Sequence, residues 1–426
     1  MKIWLVTIGE PIPDDGPQIR LLRTGLFAQH MANRGHQVTW WNSTFDHQRK
    51  KQRFAKDTVL RLMGGVEVRL LHGCGYAKNI SLLRIVDHWL IARAFSFQAA
   101  VQPVPDVIVC SLPTVGLCDA ALVYGSAHGI PVLLDIRDLW PDVFLSAMPS
   151  ALRLVGRLML LTTFAQARSV SRRASGLIGI SPGYLEWSLR LANRARLQCD
   201  AMLPLGYPPA PTLDSIKQPV VRADLEALGV NFNRRLYVFV GSMGATYDLS
   251  TCIEAARIMS DEGVQFVFAG DGENRAAWQK QAAGVSNVCF TGWIDGAAIS
   301  LLLSQAHAGI AAYTAGATQG LPNKLYEYMA YGLPAISSLP GEARHLLESV
   351  DIGRYYEAGD VRGFVRAAED LRPQALRSEM GSRALALFHQ HYSSEVVMEK
   401  FMEHLTKAVS SLGTGTNLSN TCSSHN

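Results

Sequence analysis

Short apolar runs alternate with helix-like stretches along most of the chain. Each run is long enough for one buried strand, and the intervening stretches repeat apolar positions with helical spacing. This alternation predicts parallel β-sheets covered by helices. In the first half the strand-like runs are IWLVTI, QVTWW, VEVRLL, DVIVCS and VLLDIR.

A proline-rich stretch without periodicity, residues 205–219, separates two such halves. The α/β pattern then restarts, so we predict two doubly wound domains, residues 1–203 and 204–387. A last helical region follows at about residues 388–411, and the polar segment 412–426 is predicted to be disordered. The strand-like runs of the second half are RLYVFV, QFVFA, NVCFTG and AGIAA.

Composition and charge restrict the class of protein. With 426 residues, 48% hydrophobic and 18% charged, the chain is globular and large enough for two cores. The net charge of +4 is uneven, because residues 1–200 hold 23 Lys and Arg against 14 Asp and Glu, and the remainder holds 17 against 22. A basic first half suits an anionic membrane surface or a phosphorylated substrate. Nucleic acid is not an expected partner, because no basic run alternates with aromatic residues.

The cysteines and the first residues indicate a cytoplasmic protein. Seven cysteines include no CxxC pair, and several lie in strand-like runs, which predicts buried thiols in a reducing compartment. The apolar start is interrupted at Glu10 and is interpreted as a first strand, not a signal peptide. The sequence contains no run of about 18 uninterrupted apolar residues, so no membrane-spanning helix is predicted.

The segment TQGLPNKLYEYMAYGLPAI, residues 318–336, carries the strongest candidate chemistry. Gly and Pro bracket a short helix whose start offers unpaired N–H groups and the positive end of a dipole, which suits a diphosphate. Lys324 adds a cation, and Glu327 can accept two hydrogen bonds from a ribose diol. An ordinary β-loop-α unit with a solvated Lys and Glu is the alternative. The turns GSMG, GDGE and TGW are expected at the same carboxyl edge of the sheet.

Four motifs follow one another along the second half: VGS at residues 240–242, AGDGE at 269–273, NVCFTGW at 287–293 and the pair Gln319-x7-Glu327 with its trailing GLP. In this order and spacing, they resemble the nucleotide-sugar domain of family 4 glycosyltransferases, which have the GT-B fold. IGEPIP, DIRDLWPDVF and the segment 34–54 resemble the subgroup of bacterial fucosaminyltransferases of O-antigen and capsule assembly. The resemblance implies two Rossmann-like domains facing a central cleft, with the last helix packed back on the first domain.

The resemblance also implies roles for single residues. Glu327 matches the Glu that holds the ribose, whereas Gln319 stands where a Glu is usual. The loop MGATYDL lacks the Arg and Lys that grip the diphosphate in many members, which leaves Lys324 as the main cation. Asp271 and Gly272 are alternatively a plain tight turn, and Trp293 a packing residue. The implied donor-binding residues are Gly241, Ser242, Asp271, Gly272, Trp293, Gln319, Gly320, Leu321, Pro322 and Asn323.

The first half contributes candidates for the acceptor side. Asp138 follows the strand VLLDI, so we expect it to bind the sugar or position the acceptor hydroxyl, with a turn-capping role as the alternative. Four charged residues are predicted to border the acceptor or the diphosphate, and simple ion pairing is their alternative role. These residues are Glu10, Asp15, Arg20 and Arg137.

A basic face predicts contact with a membrane. Within residues 152–173, four arginines fall within about 100° of a helical wheel, with Leu161 and Phe164 between them. Such a face suits a helix at a membrane interface and a polyprenyl-diphosphate-linked acceptor. His47 and the basic run 49–53 indicate an acceptor or membrane face, or simply a solvated one. The arginines are Arg153, Arg157, Arg168 and Arg172.

Together these observations predict a retaining glycosyltransferase on the inner face of the cytoplasmic membrane. It would move a sugar, preferably an N-acetylated amino sugar, from a UDP-sugar to a lipid-linked saccharide of O-antigen or capsule synthesis. The resemblance implies no cofactor beyond the UDP-sugar substrate, and no metal is expected because the sequence has no DxD triplet. Two alternatives remain, a UDP-sugar 2-epimerase of the same architecture and a non-catalytic nucleotide-sugar-binding protein. Gln319 and the missing Arg and Lys favour the second.

Overall fold

The computed structural model describes residues 1–16, 19, 21–47, 49–62, 64–78, 81–146, 148–211, 217–317 and 319–413. Its contacts divide the chain into two units. The N-terminal unit is Met1–Leu205 together with the chain from Val397, and the C-terminal unit is Gly206–Val396. Both divisions fall slightly later in the chain than the boundaries predicted at residues 203 and 387.

The strands of the N-terminal unit include each strand-like run of the first half. One sheet has the order β10-β9-β8-β7-β1-β2-β6-β5, parallel throughout except for β5, and β3 and β4 form a short antiparallel hairpin. The strands are β1 (Lys2–Val6), β2 (Gln37–Ser43), β3 (Phe45–Asp46), β4 (Lys51–Gln52), β5 (Thr58–Arg61), β6 (Val66–Leu71), β7 (Val107–Leu112), β8 (Val132–Ile136), β9 (Gly176–Gly179) and β10 (Ala201–Met202).

Helices cover both faces of this sheet. Alternate side chains of a strand point to opposite faces, so Trp4 packs edge-on against Trp41 in one core, 5.2 Å between centroids, while Ile3 and Leu5 enter the other. The helices are α1 (Arg23–Asn33), α2 (Leu82–Ala99), α3 (Val115–His128), α4 (Asp142–Ser146), α5 (Arg153–Met159), α6 (Leu161–Arg173) and α7 (Pro182–Ala192), with 3-10 turns at Pro13–Asp15 and Ser150–Leu152.

The C-terminal unit is a second doubly wound domain. Its parallel sheet has the order β13-β12-β11-β14-β15-β16, so the winding direction reverses between β11 and β14. The strands are β11 (Arg235–Val240), β12 (Val264–Ala269), β13 (Val288–Gly292), β14 (Ala308–Ala311), β15 (Ala335–Ser337) and β16 (Gly353–Tyr355). The helices are α8 (Gln218–Ala227), α9 (Leu249–Ile258), α10 (Arg275–Gln281), α11 (Gly296–Ser304), α12 (Asn323–Ala330), α13 (Glu342–Val350), α14 (Val361–Asp370) and α15 (Gln374–Leu387).

The chain returns to the N-terminal unit through its last helix. A π-helical turn, Phe388–Tyr392, precedes α16 (Ser394–Gly413), where the sequence predicted one helical region from about residue 388. Phe401 of α16 stacks on Phe27 of α1 with 4.1 Å between ring centroids, inside the core that also holds Leu405. None of the helices in the described part of the chain is long and apolar enough to cross a membrane.

Candidate functional site

The loops that follow β11, β12 and β13 lie side by side at the carboxyl edge of the C-terminal sheet. Gly241 N–H donates to Ala269 O at 2.9 Å, Met243 N–H donates to Asp271 O at 2.8 Å, and Gly270 N–H donates to Gly292 O at 2.8 Å. The hydrogen bonds between neighbouring strands thus continue past the strand ends and hold these loops in place. The Gly241 N–H is engaged in these hydrogen bonds, and the donor-binding role of Gly241 and Ser242 stays a prediction.

Helix α12 begins at the edge where the winding reverses. Its N-cap is Pro322, which has no N–H and provides no side-chain cap. Gly320 and Leu321 are half-buried before it, and Asn323 is exposed in the first turn, where backbone N–H groups have no intrahelical acceptor. The start of α12 therefore has the composition and position of an anion-binding site.

Lys324 is buried beside Gly241. Its side chain is on the inner side of α12, where the ammonium donates to the carbonyl of Val240 and lies 3.8 Å from the ring centroid of Phe239 and 4.8 Å from that of Tyr247. Gly241 has φ +140°, and a Cβ there would collide with Nζ. Gly241 therefore leaves room for the Lys324 ammonium next to the loop, and its donor-binding role stays a prediction.

Glu327 lies one turn further along α12 and is oriented by a tyrosine from the linker. Tyr207 OH donates to Glu327 Oε1 at 2.5 Å, while Oε2 makes no hydrogen bond with the described residues. The backbone of Tyr207 is itself fixed, because its N–H donates to Tyr392 O at 2.9 Å and its carbonyl accepts from Ser394 N–H at 2.8 Å. One carboxylate oxygen thus holds the side chain in place and the other can accept a hydroxyl.

Gln319 brings a buried acceptor to the same loop. Its carbonyl oxygen Oε1 is shielded from solvent and has no hydrogen-bond partner among the described residues. A buried unsatisfied carbonyl costs about 1–3 kcal/mol. Gln319 lies five residues before Lys324, so a ligand at this helix start that donates a hydrogen bond would satisfy its Oε1.

The remaining donor-side candidates are at the surface of the same edge. Asp271 accepts from Gly272 N–H at 2.8 Å and pairs with Arg275 at 3.2 Å, as expected for the tight-turn alternative. Trp293 is 81% exposed after β13, so the packing alternative is wrong for this residue. Ser242 is exposed beside Gly241.

The N-terminal unit buries a network of four charges at the carboxyl edge of its sheet. Asp135 accepts from Arg23 Nε at 3.0 Å and from Arg137 Nε at 2.7 Å. Arg137 also pairs with Glu10, which accepts from Thr24 Oγ1 at 2.7 Å. Burial opposes ionisation of Asp135, but the two arginines outweigh it and lower the pKa of that carboxyl.

Ion pairing, the alternative role considered for the acceptor-side residues, is what the structure shows for three of them. Glu10 and Arg137 are paired in the network described above. Asp15 accepts from Arg53 Nε at 2.6 Å, and that pair outweighs burial to lower the pKa of Asp15. Arg20 lies outside the described residues.

Asp138 is half-buried after β8 and accepts from Leu139 N–H at 2.8 Å. This bond matches the turn-capping alternative. Burial raises the pKa of Asp138, although the Leu139 N–H and the nearby Arg84 guanidinium act in the opposite direction. A carboxyl with a raised pKa beside a cation remains a candidate for acid–base or binding chemistry.

The sequence match to known families falls on the C-terminal unit. Residues 234–372 match the family model for glycosyl transferases group 1. This stretch is therefore similar to the glycosyltransferase domain that the model describes. It contains β11 to β16, and with them Gly241, Lys324 and Glu327. No curated protein matches the sequence significantly.

Solved structures share the fold over nearly the whole chain. Sucrose-phosphate synthase from Thermosynechococcus elongatus has a TM-score of 0.73 at 16% identity, covering 96% of this chain and 99% of that one. HepE from Anabaena in complex with UDP-glucose has a TM-score of 0.64 at 15% identity, covering 96% and 100%. WaaG, a glycosyltransferase involved in lipopolysaccharide biosynthesis, has a TM-score of 0.62 at 15% identity, covering 93% and 98%. The GT-B fold predicted from the sequence is thereby confirmed, and the fucosaminyltransferase subgroup stays a prediction.

Proposed function

We propose that the chain transfers a sugar, with retention, from a UDP-sugar to a lipid-linked saccharide in surface-polysaccharide synthesis. The observation that carries the proposal is the position of Lys324 and Glu327 on α12, within the stretch that matches the glycosyltransferase family model. The helix begins where the sheet reverses its winding, which is where doubly wound sheets bind nucleotides. UDP is the proposed nucleotide because the similar structure of HepE holds UDP-glucose.

In the proposed complex the parts of the donor meet different groups. The diphosphate lies at the uncapped start of α12, within the field of Lys324. The ribose diol donates to Glu327 Oε2, and the base extends toward the exposed Trp293. This division follows the chemistry of each group, because the cation and N–H groups suit phosphate oxygens and the free carboxylate oxygen suits hydroxyls.

The proposed reaction breaks the bond between the sugar anomeric carbon and the β-phosphate oxygen. The acceptor hydroxyl oxygen forms the new bond to that carbon and passes its proton to the departing β-phosphate, and UDP leaves with the electron pair. Negative charge grows on the β-phosphate as the bond breaks, so a buried ammonium and helix N–H groups stabilise the transition state more than the bound donor. We propose that these groups, rather than a bound metal, serve the leaving group.

An N-acetylated amino sugar is the proposed donor sugar. Gln319 provides a neutral carbonyl without a partner, in the position where the resembled family carries a carboxylate. An amide N–H of the sugar satisfies this oxygen without adding charge. A hydroxyl can do the same, so the donor panel below includes both kinds of sugar.

We also propose that the N-terminal unit binds the inner face of the cytoplasmic membrane. On α5, Leu154 is 72% exposed and Met159 78% exposed, and Leu161 at the start of α6 is 56% exposed. Arginines lie between them in the sequence, including Arg153 and Arg157. Apolar side chains flanked by cations suit an anionic lipid surface. Cosedimentation with vesicles of 30% anionic lipid tests this, and a protein that stays in the supernatant contradicts it.

A donor screen followed by product analysis tests the proposed function. UDP, ADP and GDP with several sugars, including N-acetylated ones, are compared for their effect on the melting temperature. A donor at 100 times its Kd stabilises the folded state by about 2.7 kcal/mol. Glu327→Ala should abolish the shift, whereas Glu226→Ala, an exposed position on α8, should not. An epimer formed from the donor without acceptor would contradict the transferase proposal, and so would the absence of any stabilising UDP-sugar.

A further inference from the structure

Arg275 places a second cation at the carboxyl edge of the C-terminal sheet, apart from Lys324. It is the first residue of α10 and follows the turn after β12, where its N–H donates to Gly272 O at 3.1 Å. Its guanidinium lies against the end of β13, because a Cβ on Gly292 would come within 3.2 Å of Arg275 Nη2. Gly292 has φ +71° and immediately precedes the exposed Trp293. The guanidinium and the indole therefore belong to one short segment of this edge.

One ion pair anchors the Arg275 guanidinium and leaves part of it accessible. Nη1 donates to Asp271 Oδ2 at 3.2 Å, and the arginine side chain is 30% exposed. Its Nε is shielded from solvent and has no hydrogen-bond partner in the described part of the chain. Arginine carries five N–H donors in a rigid plane, and the pair with Asp271 engages one of them. The accessible part of the guanidinium can therefore donate to a ligand.

The position of Arg275 along the sheet matches the base of the bound nucleotide. Lys324 bonds to Val240 at the end of β11, and β13 is two strands away from β11. Because neighbouring strands are about 4.8 Å apart, this separation is about 10 Å. In the proposed complex the diphosphate lies at Lys324 and the ribose at Glu327. The base is the remaining part of the donor, and it is the part that reaches Arg275.

The chemistry of a guanidinium selects among bases. Arginine donates hydrogen bonds and accepts none, so it requires an acceptor on the base edge. The pyrimidine with a keto group, uracil, presents the acceptor O4, as thymine does, where cytosine presents the N4 amino group, which donates. A guanidinium at this position satisfies O4 but opposes its own N–H groups to those of cytosine. Arg275 can therefore discriminate between two bases of nearly equal size.

The neighbouring acceptor does not offset this preference. Asp271 is the carboxylate nearest to the guanidinium, and an amino group of cytosine would need such an acceptor. Both of its oxygens are engaged, because Oδ1 accepts from Gly272 N–H at 2.8 Å and Oδ2 accepts from Arg275. The pair thus presents N–H donors to the base.

We propose that Arg275 selects uracil as the base of the sugar donor, with its guanidinium donating to O4 while the indole of Trp293 covers the ring. The inference rests on the proposed function, because it explains which nucleotide that donor site accepts. It makes Arg275 a specificity-determining residue, distinct in role from Lys324, which serves the diphosphate.

Calorimetric titration with UDP and CDP tests the inference, because the two nucleotides differ at this edge of the base. The wild type should bind UDP at least tenfold more tightly than CDP, as expected for one charge-assisted hydrogen bond. Arg275→Gln should bind UDP about tenfold more weakly and prefer it less than twofold, because an amide both donates and accepts. Arg222→Gln is the matched control and should keep the wild-type preference, since Arg222 also pairs at a spacing of four residues, with Glu226 at 3.0 Å on α8.

Two further titrations separate base selection from damage to the site and from the proposed function. Inorganic pyrophosphate should bind Arg275→Gln as tightly as the wild type. Arg275→Lys should still prefer UDP to CDP, because an ammonium also only donates.

Three results would overturn the inference. The first is that Arg275→Gln weakens UDP, CDP and pyrophosphate equally, and the second is that it leaves UDP affinity within twofold of the wild type. The third is a wild type that binds UDP and CDP equally, which leaves the transferase proposal standing. A wild type that binds neither UDP nor pyrophosphate contradicts the transferase proposal as well.

Discussion

Replacing Lys324 with methionine separates a donor-binding role from a structural one. Methionine keeps most of the length and apolar volume of the side chain and removes the ammonium. The lost interactions are the hydrogen bond to the Val240 carbonyl and the contacts with the Phe239 and Tyr247 rings. If Lys324 serves the diphosphate, the substitution weakens UDP binding without unfolding the protein.

The structure sets the size of both effects. A hydrogen bond to a charged group contributes about 1.5–3 kcal/mol, so loss of the phosphate contact should raise the Kd for UDP roughly 10- to 150-fold. Lys324 is only 6% exposed. The substitution leaves the Val240 carbonyl without this donor, which costs about 1–3 kcal/mol, but it also removes a buried charge, so the free energy of unfolding should fall by less than about 2 kcal/mol.

Calorimetric titration with UDP and urea unfolding measure the two quantities on the same preparation. Lys280→Met, an exposed lysine on α10, is the matched control and should change neither. A UDP affinity of Lys324→Met within twofold of the wild type contradicts a role of Lys324 at the diphosphate. A loss of more than about 2 kcal/mol of stability with unchanged affinity would assign Lys324 to the core of the domain.

Three other predictions concern single contacts. Tyr207→Phe removes the hydroxyl that orients Glu327, so UDP affinity measured by calorimetry should fall several-fold; an unchanged affinity contradicts the orienting role. Asp135→Asn leaves Arg23 and Arg137 without their shared carboxylate, so the free energy of unfolding measured with urea should fall by about 3–5 kcal/mol. A fall of less than about 1 kcal/mol would contradict a stabilising role of this carboxylate. The arginines, outweighing burial, lower the pKa of Asp135 in the folded state. Its contribution is therefore present above the unfolded pKa of about 3.9 and lost as the pH falls below it. Wild-type stability should accordingly decline more steeply below pH 4 than that of Asp135→Asn, and parallel declines would contradict this assignment.

The fold could be predicted from the sequence because its strands are buried on both faces. Runs such as VLLDI and RLYVFV are continuously apolar, and they became β8 and β11. The position of Lys324 and Glu327 at the carboxyl edge of the sheet followed from the order of strands and turns, whereas the reversal of the winding there comes from the structure. These inferences depend on local pattern and on general rules of α/β topology.

The contacts that orient the site could not be predicted in the same way. Tyr207 lies in a proline-rich linker without periodicity, and its partner Glu327 is far along the chain, so no local signal connects them. Asp135 did carry a signal, because a carboxylate within a fully apolar strand requires a buried cation. The sequence did not identify Arg23 as one of those cations, since it lies on α1, 112 residues away along the chain, and meets Asp135 only in the folded structure. Arg137 is only two residues from Asp135, but its pairing with that carboxylate was not predicted either.

We propose that the C-terminal unit binds its donor at the carboxyl edge of its sheet, where β11 ends and α12 begins. Hydrogen–deuterium exchange with and without saturating UDP tests it most directly, because it maps binding on the backbone of the whole chain. Bound UDP should slow exchange in peptides covering residues 241–243 and 319–327. Unchanged exchange in both segments, or protection confined to the N-terminal unit, would contradict it.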